Sequence, residues 1–143
     1  MERNHGRRRP HLTNSIVLDT GALIALERGD RRVRHHIVNA GENGFKAVVP
    51  ILVVMEALAG ARDHARLNRL LAVIDDELPL LVPMGRQIPG LRARATQASD
   101  ADASVVLEAL ARPGSVIMTG DARDIGALLE AAGAAGRVPI LRV

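Results

Sequence analysis

The chain predicts an α/β fold: a three-layer sandwich with a mainly parallel, roughly five-stranded sheet flanked by helices. Three observations carry that reading. Short β-branched runs recur along the chain, helical periodicities fall between them, and Gly- or Pro-containing turns separate the two. Such alternation requires crossover connections, which are right-handed, and hence a parallel sheet covered on both faces.

Residues 1–14 carry Arg3, Arg7, Arg8 and Arg9 and are expected to form a basic flexible arm ahead of one domain over residues 15–143. The run Ser15-Ile16-Val17-Leu18 closing on Asp19 reads as the first strand. Helices follow over 21–28 and 30–40, punctuated by Gly29-Asp30 and Gly41. Lys46 to Val49 is a second strand, and Pro50 suits the first turn of the next helix. Leu67, Leu70, Leu71 and Ile74 share one helical stripe, which predicts an amphipathic helix over 62–74. Leu80 to Val82, between Pro79 and Pro83, is the expected third strand. Residues 84–97 predict a helix interrupted at Pro89-Gly90, and 101–111 a helix that ends at Arg112-Pro113-Gly114. Residues 115–119 read as a buried strand, and Ile125, Leu128, Leu129 and Ala132 as a helix ending near Gly133. Val138 to Leu141 is the last strand, placed at a sheet edge by Pro139.

The 143 residues suffice for one core. With Phe45 the only aromatic residue, that core must be aliphatic, and base-stacking platforms are excluded. No cysteine is present, which excludes disulfides, thiolate zinc sites and a cysteine nucleophile. No apolar run approaches a membrane span, and the basic start lacks the apolar stretch of a signal peptide, so a cytoplasmic protein is expected. Net charge is +3, and Lys46 is the only basic residue that is not arginine. Arginine forks suit phosphate, although solvated faces explain the count as well.

Four acids stand out: Asp19, Glu56, Asp102 and Asp121. Asp19 and Asp121 follow strands, at the sheet rim where parallel sheets bind ligands. Each also stands where a helix cap belongs. Asp102 heads the apolar stripe Val105, Val106, Ala109 and Leu110, and it can equally complement the helix dipole. Glu56 interrupts Ile51-Leu52-Val53-Val54-Met55, past any capping position, so it is expected to be buried without an obvious partner. Carboxylates brought together raise one another's pKa unless a cation joins them. Hard oxygen donors without thiols suit Mg²⁺ or Mn²⁺. The histidines do not suggest zinc, since His35 and His36 are adjacent and the others stand apart.

These residues resemble the PIN-domain ribonucleases, in particular the VapC toxins of bacterial toxin–antitoxin pairs. The likeness rests on Ile16-Val17-Leu18-Asp19-Thr20-Gly21-Ala22-Leu23 and on Val48-Val49-Pro50 through Glu56. It continues in Ser99-Asp100-Ala101-Asp102-Ala103 and in Met118-Thr119-Gly120-Asp121-Ala122-Arg123-Asp124. The resemblance implies a PIN-like sandwich and a Mg²⁺- or Mn²⁺-dependent endoribonuclease whose metal and catalytic ligands are Asp19, Glu56, Asp102 and Asp121. It also implies an RNA substrate, a homodimer and a VapB-like antitoxin partner. Thr20 and Thr119 are expected to steady the carboxylates, and Arg28, Arg31 and Arg123 to contact phosphate. A haloacid-dehalogenase-type phosphatase is discounted because position 21 is Gly where a second Asp is needed. A catalytically inactive PIN-like module binding RNA or protein is the alternative.

Overall fold

The structure, a computed structural model, describes residues 14–143. The expected arm over 1–14 lies outside the described residues apart from Asn14. Five strands form one sheet: β1 (Ser15–Leu18), β2 (Lys46–Pro50), β3 (Asp76–Leu78), β4 (Val116–Thr119) and β5 (Ile140–Arg142). Their order is β3-β2-β1-β4-β5, and every pairing is parallel.

That order places the site. From β1 the chain steps outward to β2 and β3, then returns to β4 and β5 on the opposite side. The direction of winding therefore switches between β1 and β4, where the ends of neighbouring strands leave a crevice. Val17 pairs with Val48 on one side and Ile117 on the other, and the Asp19 amide donates to the Met118 carbonyl at 3.0 Å. The two strand ends are thus locked in register where Asp19 emerges.

Seven helices connect the strands: α1 (Thr20–Glu27), α2 (Arg31–Glu42), α3 (Ile51–Gly60), α4 (His64–Leu71), α5 (Val82–Arg94), α6 (Asp100–Ala111) and α7 (Ala122–Ala131). Right-handed crossovers assign α1 to α4 to one face and α5 to α7 to the other. Consistent with this, α1 packs on β1 and β4, while α6 packs on β1, β2 and β4. Helix α3 touches both α1 and α6, so it spans the two outer layers. The core is aliphatic as expected. Val17, Leu18, Leu23, Ile117, Met118, Ile125 and Leu128 are fully buried, each worth about 1.5–3 kcal/mol of burial.

Local signals explain most boundaries. Gly29, at φ 81°, turns the chain between α1 and α2, and Asp30 caps α2 by accepting from the Arg32 and Val33 amides. Just before edge strand β5, the Pro139 carbonyl accepts the Ile117 amide, and Pro139 itself needs no ladder donor there.

Two expectations are corrected. The third strand is Asp76-Glu77-Leu78 and not Leu80 to Val82, which stay exposed. An edge strand needs only one buried side chain, here Leu78, so a continuous apolar run is the wrong signal for it. The helix expected to break at Pro89 runs unbroken from Val82 to Arg94. Pro89 faces solvent, Gly85 four residues earlier carries no side chain, and Ile88 and Leu91 anchor the segment in the core. Tertiary burial outweighs the lost backbone bond.

Candidate active site

Asp19 stands between β1 and α1, 3% exposed, and its carboxylate is almost fully committed. Oδ1 accepts from the Ala22 amide at 2.8 Å, which caps α1. The Gly120 amide donates to both oxygens at 3.2 Å, and the Thr119 hydroxyl donates a short bond to Oδ2. A buried carboxylate that accepts from three donors is fixed in direction, at a place where water alone would hydrate it poorly.

Close backbone approach makes this possible. A Cβ on Gly21 would lie 3.1 Å from the Gly120 Cα and 3.3 Å from its nitrogen. Two glycines facing each other let the first turn of α1 meet the loop after β4 without either backbone giving way, which brings the Gly120 amide to Asp19.

Thr119 joins Asp19 to the next acid. Its hydroxyl donates to Asp19 and accepts the Asp121 amide at 2.8 Å, so one side chain sets both acids on their strand ends. Asp121 itself is exposed and caps α7 by accepting from the Asp124 amide at 3.2 Å. Asp124 belongs to the same group. Partial desolvation, then a hydrogen bond to Asp121 and repulsion from it, raise its carboxyl above the usual range, with Arg123 opposing.

Asp102 occupies the third position of α6 and forms a reciprocal capping box with Ser99. Burial is the largest cause raising its carboxyl; repulsion from Asp19 and then from Glu56 adds to it, against the Ser99 hydrogen bonds. Asp102 thus lies within the fields of both other acids. Asp121 is bonded to the Asp124 amide and is tied to Asp19 through the Thr119 hydroxyl, while Asp19 and Glu56 act on Asp102. Asp100 points elsewhere, into a salt bridge with Arg92 at 2.9 Å.

Glu56 corrects its premise. It was expected to be buried, yet it is exposed beside Met55 and has no ion-pair partner among the described residues. Helix α3 is apolar on the faces that meet α1 and α6, and residues 55 and 56 lie on its open side. Its link to the site is its effect on Asp102. The buried acid of α6 is instead Glu108, half-neutralised by Arg112 at 3.3 Å and raised mainly by burial.

A raised folded-state pKa has a definite consequence. Asp102 contributes stability below its unfolded value, and that contribution is lost as pH rises through the raised folded value. In metal-free buffer at neutral pH, Asp102→Asn therefore melts above wild type, first because an uncharged amide costs less to bury than a carboxylate and then because repulsion from Asp19 and Glu56 is relieved. The difference vanishes in acid. Asn keeps an oxygen for the Ser99 amide, so the capping box survives and calorimetry across pH isolates the charge.

The donor set fits a hard cation: oxygen ligands only, with a neighbour-raised carboxyl that positive charge would relieve. Among the described residues, no three His, Cys, Asp or Glu side chains lie close enough to form a metal-holding group as they stand. The buried Thr20 hydroxyl has no hydrogen-bond partner among the described residues, so of the two threonines expected to steady carboxylates only Thr119 is seen to do so. Arg28 ends α1 and lines a cleft of about 310 Å³ with Arg62 and Arg66, a helix length from the rim. Arg31 is exposed on the first turn of α2, and Arg123 lines a cleft beside Asp121. Missing from the sequence reading were the Gly120 amide and its glycine partner, whose only trace was two glycines next to site acids.

No protein-family model matches the sequence, and no curated protein does. Among solved structures, the chain is similar to the crystal structure of FitAcB from Neisseria gonorrhoeae, with a TM-score of 0.57 and 18% identity. The match covers 88% of this chain and 96% of that one. At this identity the likeness shows the fold alone, an α/β sandwich with a five-stranded parallel sheet.

Proposed function

We propose that this protein is a metal-dependent endoribonuclease, the toxin of a VapBC-type toxin–antitoxin pair. The observation that carries the reading is Asp19, clamped by Thr119 and Gly120 at the switch point and repelling Asp102, on which Glu56 also acts. Similarity in fold to FitAcB supports it.

Asp19, Glu56, Asp102 and Asp121 are the proposed ligands of Mg²⁺ or Mn²⁺. When bound, the ion supplies positive charge to a phosphodiester oxygen and to an attacking water. The chain does the rest. Asp19, unable to rotate, sets the position of the substrate phosphate. In place of ligation, Glu56 can accept the proton of the attacking water as the water oxygen bonds to phosphorus. The bond from phosphorus to the 3′-oxygen breaks in line, and solvent protonates the leaving oxygen. Thr119 holds Asp19 and the Asp121 amide in relation throughout.

Thr119 can be tested separately. Thr119→Val keeps the shape but removes a donor and an acceptor, and is expected to lower cleavage about 10- to 100-fold. Thr119→Ser should restore most of it. The parent reading is tested with purified protein on tRNA, rRNA and mRNA panels, in Mg²⁺, Mn²⁺ or EDTA. Cleavage that stops in EDTA and returns with metal supports it, while cleavage indifferent to EDTA refutes it.

An RNA substrate, a homodimer and a VapB-like antitoxin belong to the same proposal. The exposed Met55, Leu81 and Val82 leave apolar surface for protein partners. No helix of the described residues is long and apolar enough to cross a membrane. A catalytically inactive PIN-like module that binds RNA or protein is the second reading. The exposed Glu56 and the absence of a gathered acid triplet among the described residues favour it. RNA left intact at every metal condition would select it.

A further inference from the structure

Beyond the acids, on the side of β4 and β5, three arginines from three separate segments gather at one edge. Arg123 stands in the first turn of α7 and Arg142 ends β5; together with Gly120 and Asp121 they line an open cleft of about 520 Å³. Arg32, in the first turn of α2, reaches over and donates from Nη2 to the Arg142 carbonyl at 3.4 Å. All three are exposed, and none has a carboxylate partner within ion-pair distance among the described residues. Asp121 is the acid that shares the cleft, and Asp124 the next one along.

The other clefts differ. The one at the far end of α1 mixes Arg28, Arg62 and Arg66 with Glu27 and Asp63, and its Arg66 is engaged by Glu27 at 3.4 Å. The one on α5 holds Arg86 and Arg94 but adjoins no site acid. Asp121 and Asp124 stand nearby, yet none of the three cations is in an ion pair among the described residues; they repel one another, and a polyanion relieves that repulsion by releasing its own counterions. A nucleic-acid strand presents such charge at regular spacing, and the guanidinium fork matches its phosphates.

The geometry points to Arg32, Arg123 and Arg142 as a phosphate-binding edge that guides single-stranded RNA past Asp121, over the ends of β4 and β5. This inference rests on the nuclease reading for its meaning, but not for its test. The strand runs along one side of the acids only, away from the cleft between α1 and α4. Arg123 and Arg142 bind phosphates, and Arg32 braces the end of β5 while adding charge.

The test is equilibrium binding of a fluorescein-labelled oligouridylate to the protein in EDTA, across a salt series, so that no cleavage is needed. For the R123Q/R142Q variant, affinity is expected to fall about ten-fold, and the log–log salt slope to shrink by about 1.4, since each single-strand contact contributes about 0.7. The R86Q/R94Q variant removes equal charge from α5 and should leave both unchanged. Unaltered affinity and slope in R123Q/R142Q would overturn the proposal, as would equal losses in the two variants, which signify diffuse charge. Displacement of the RNA by polyglutamate as effectively as by unlabelled RNA would assign the edge to an acidic protein instead. Binding lost as expected, in a protein that cleaves nothing, would leave this edge standing and remove the nuclease.

Discussion

Asp19→Asn should reduce RNA cleavage at least about 100-fold while leaving the fold intact. The size follows from how the carboxylate is held. It is buried, accepts from Ala22, Thr119 and Gly120, and carries the one negative charge that these donors face. Asparagine keeps one acceptor oxygen for the Ala22 amide but turns an amide group towards the Gly120 and Thr119 donors. Charge is lost and the orientation of the remaining oxygen is lost with it. Asp19→Ala goes further, leaving those donors without a partner at a cost of about 1–3 kcal/mol. Single-turnover cleavage beside thermal melts separates the two effects: the Asn variant loses activity at near-normal stability, the Ala variant loses both.

Gly21→Ala is the second large effect, and a residue outside the acids causes it. Alanine is the better helix former by about 1 kcal/mol, and Gly21 belongs to α1. Sterics oppose that gain. The new methyl group would meet backbone at 3.1 and 3.3 Å, and backbone on both sides cannot yield as a flexible side chain can. Overpacking of this kind costs about 1–3 kcal/mol, so the variant is less stable despite its propensity. Activity should fall more than stability implies, about 10- to 100-fold, because the loop that yields carries the Gly120 amide off Asp19. Gly41→Ala provides the contrast. It lies in α2 with open space around it, and should stabilise by about 0.5–1 kcal/mol with cleavage unchanged.

Much of the architecture was legible because burial and chain geometry coincide in it. β1 and β4 are buried on both faces, so their apolar runs announced them, and Pro139 marked β5 as an edge. Where burial is one-sided the reading slipped. Edge strand β3 buries Leu78 alone, while the more apolar Leu80 to Val82 remain in solvent. The same reasoning misjudged Glu56, since an acid inside an apolar run can still lie on a helix's open side. Asp19 and Asp121 read equally as caps or as ligands, and each does cap a helix, whereas Asp102, read as a dipole partner or a ligand, forms the second half of a capping box whose cap is Ser99. Capping and metal binding use different lone pairs, so the cap neither excludes nor establishes the second role. The glycine contact was beyond reach, because it depends on two distant segments meeting and neither carries a side chain to signal it.

Asp19, Glu56, Asp102 and Asp121 are proposed to hold a divalent cation at the rim. Calorimetric titration of Mn²⁺ into wild-type protein and into Asp102→Asn tests it without any RNA. Saturable binding to wild type, accompanied by a higher melting temperature and weakened at least ten-fold in the variant, is the result predicted. Equal binding to both proteins, or no binding to either, would contradict it.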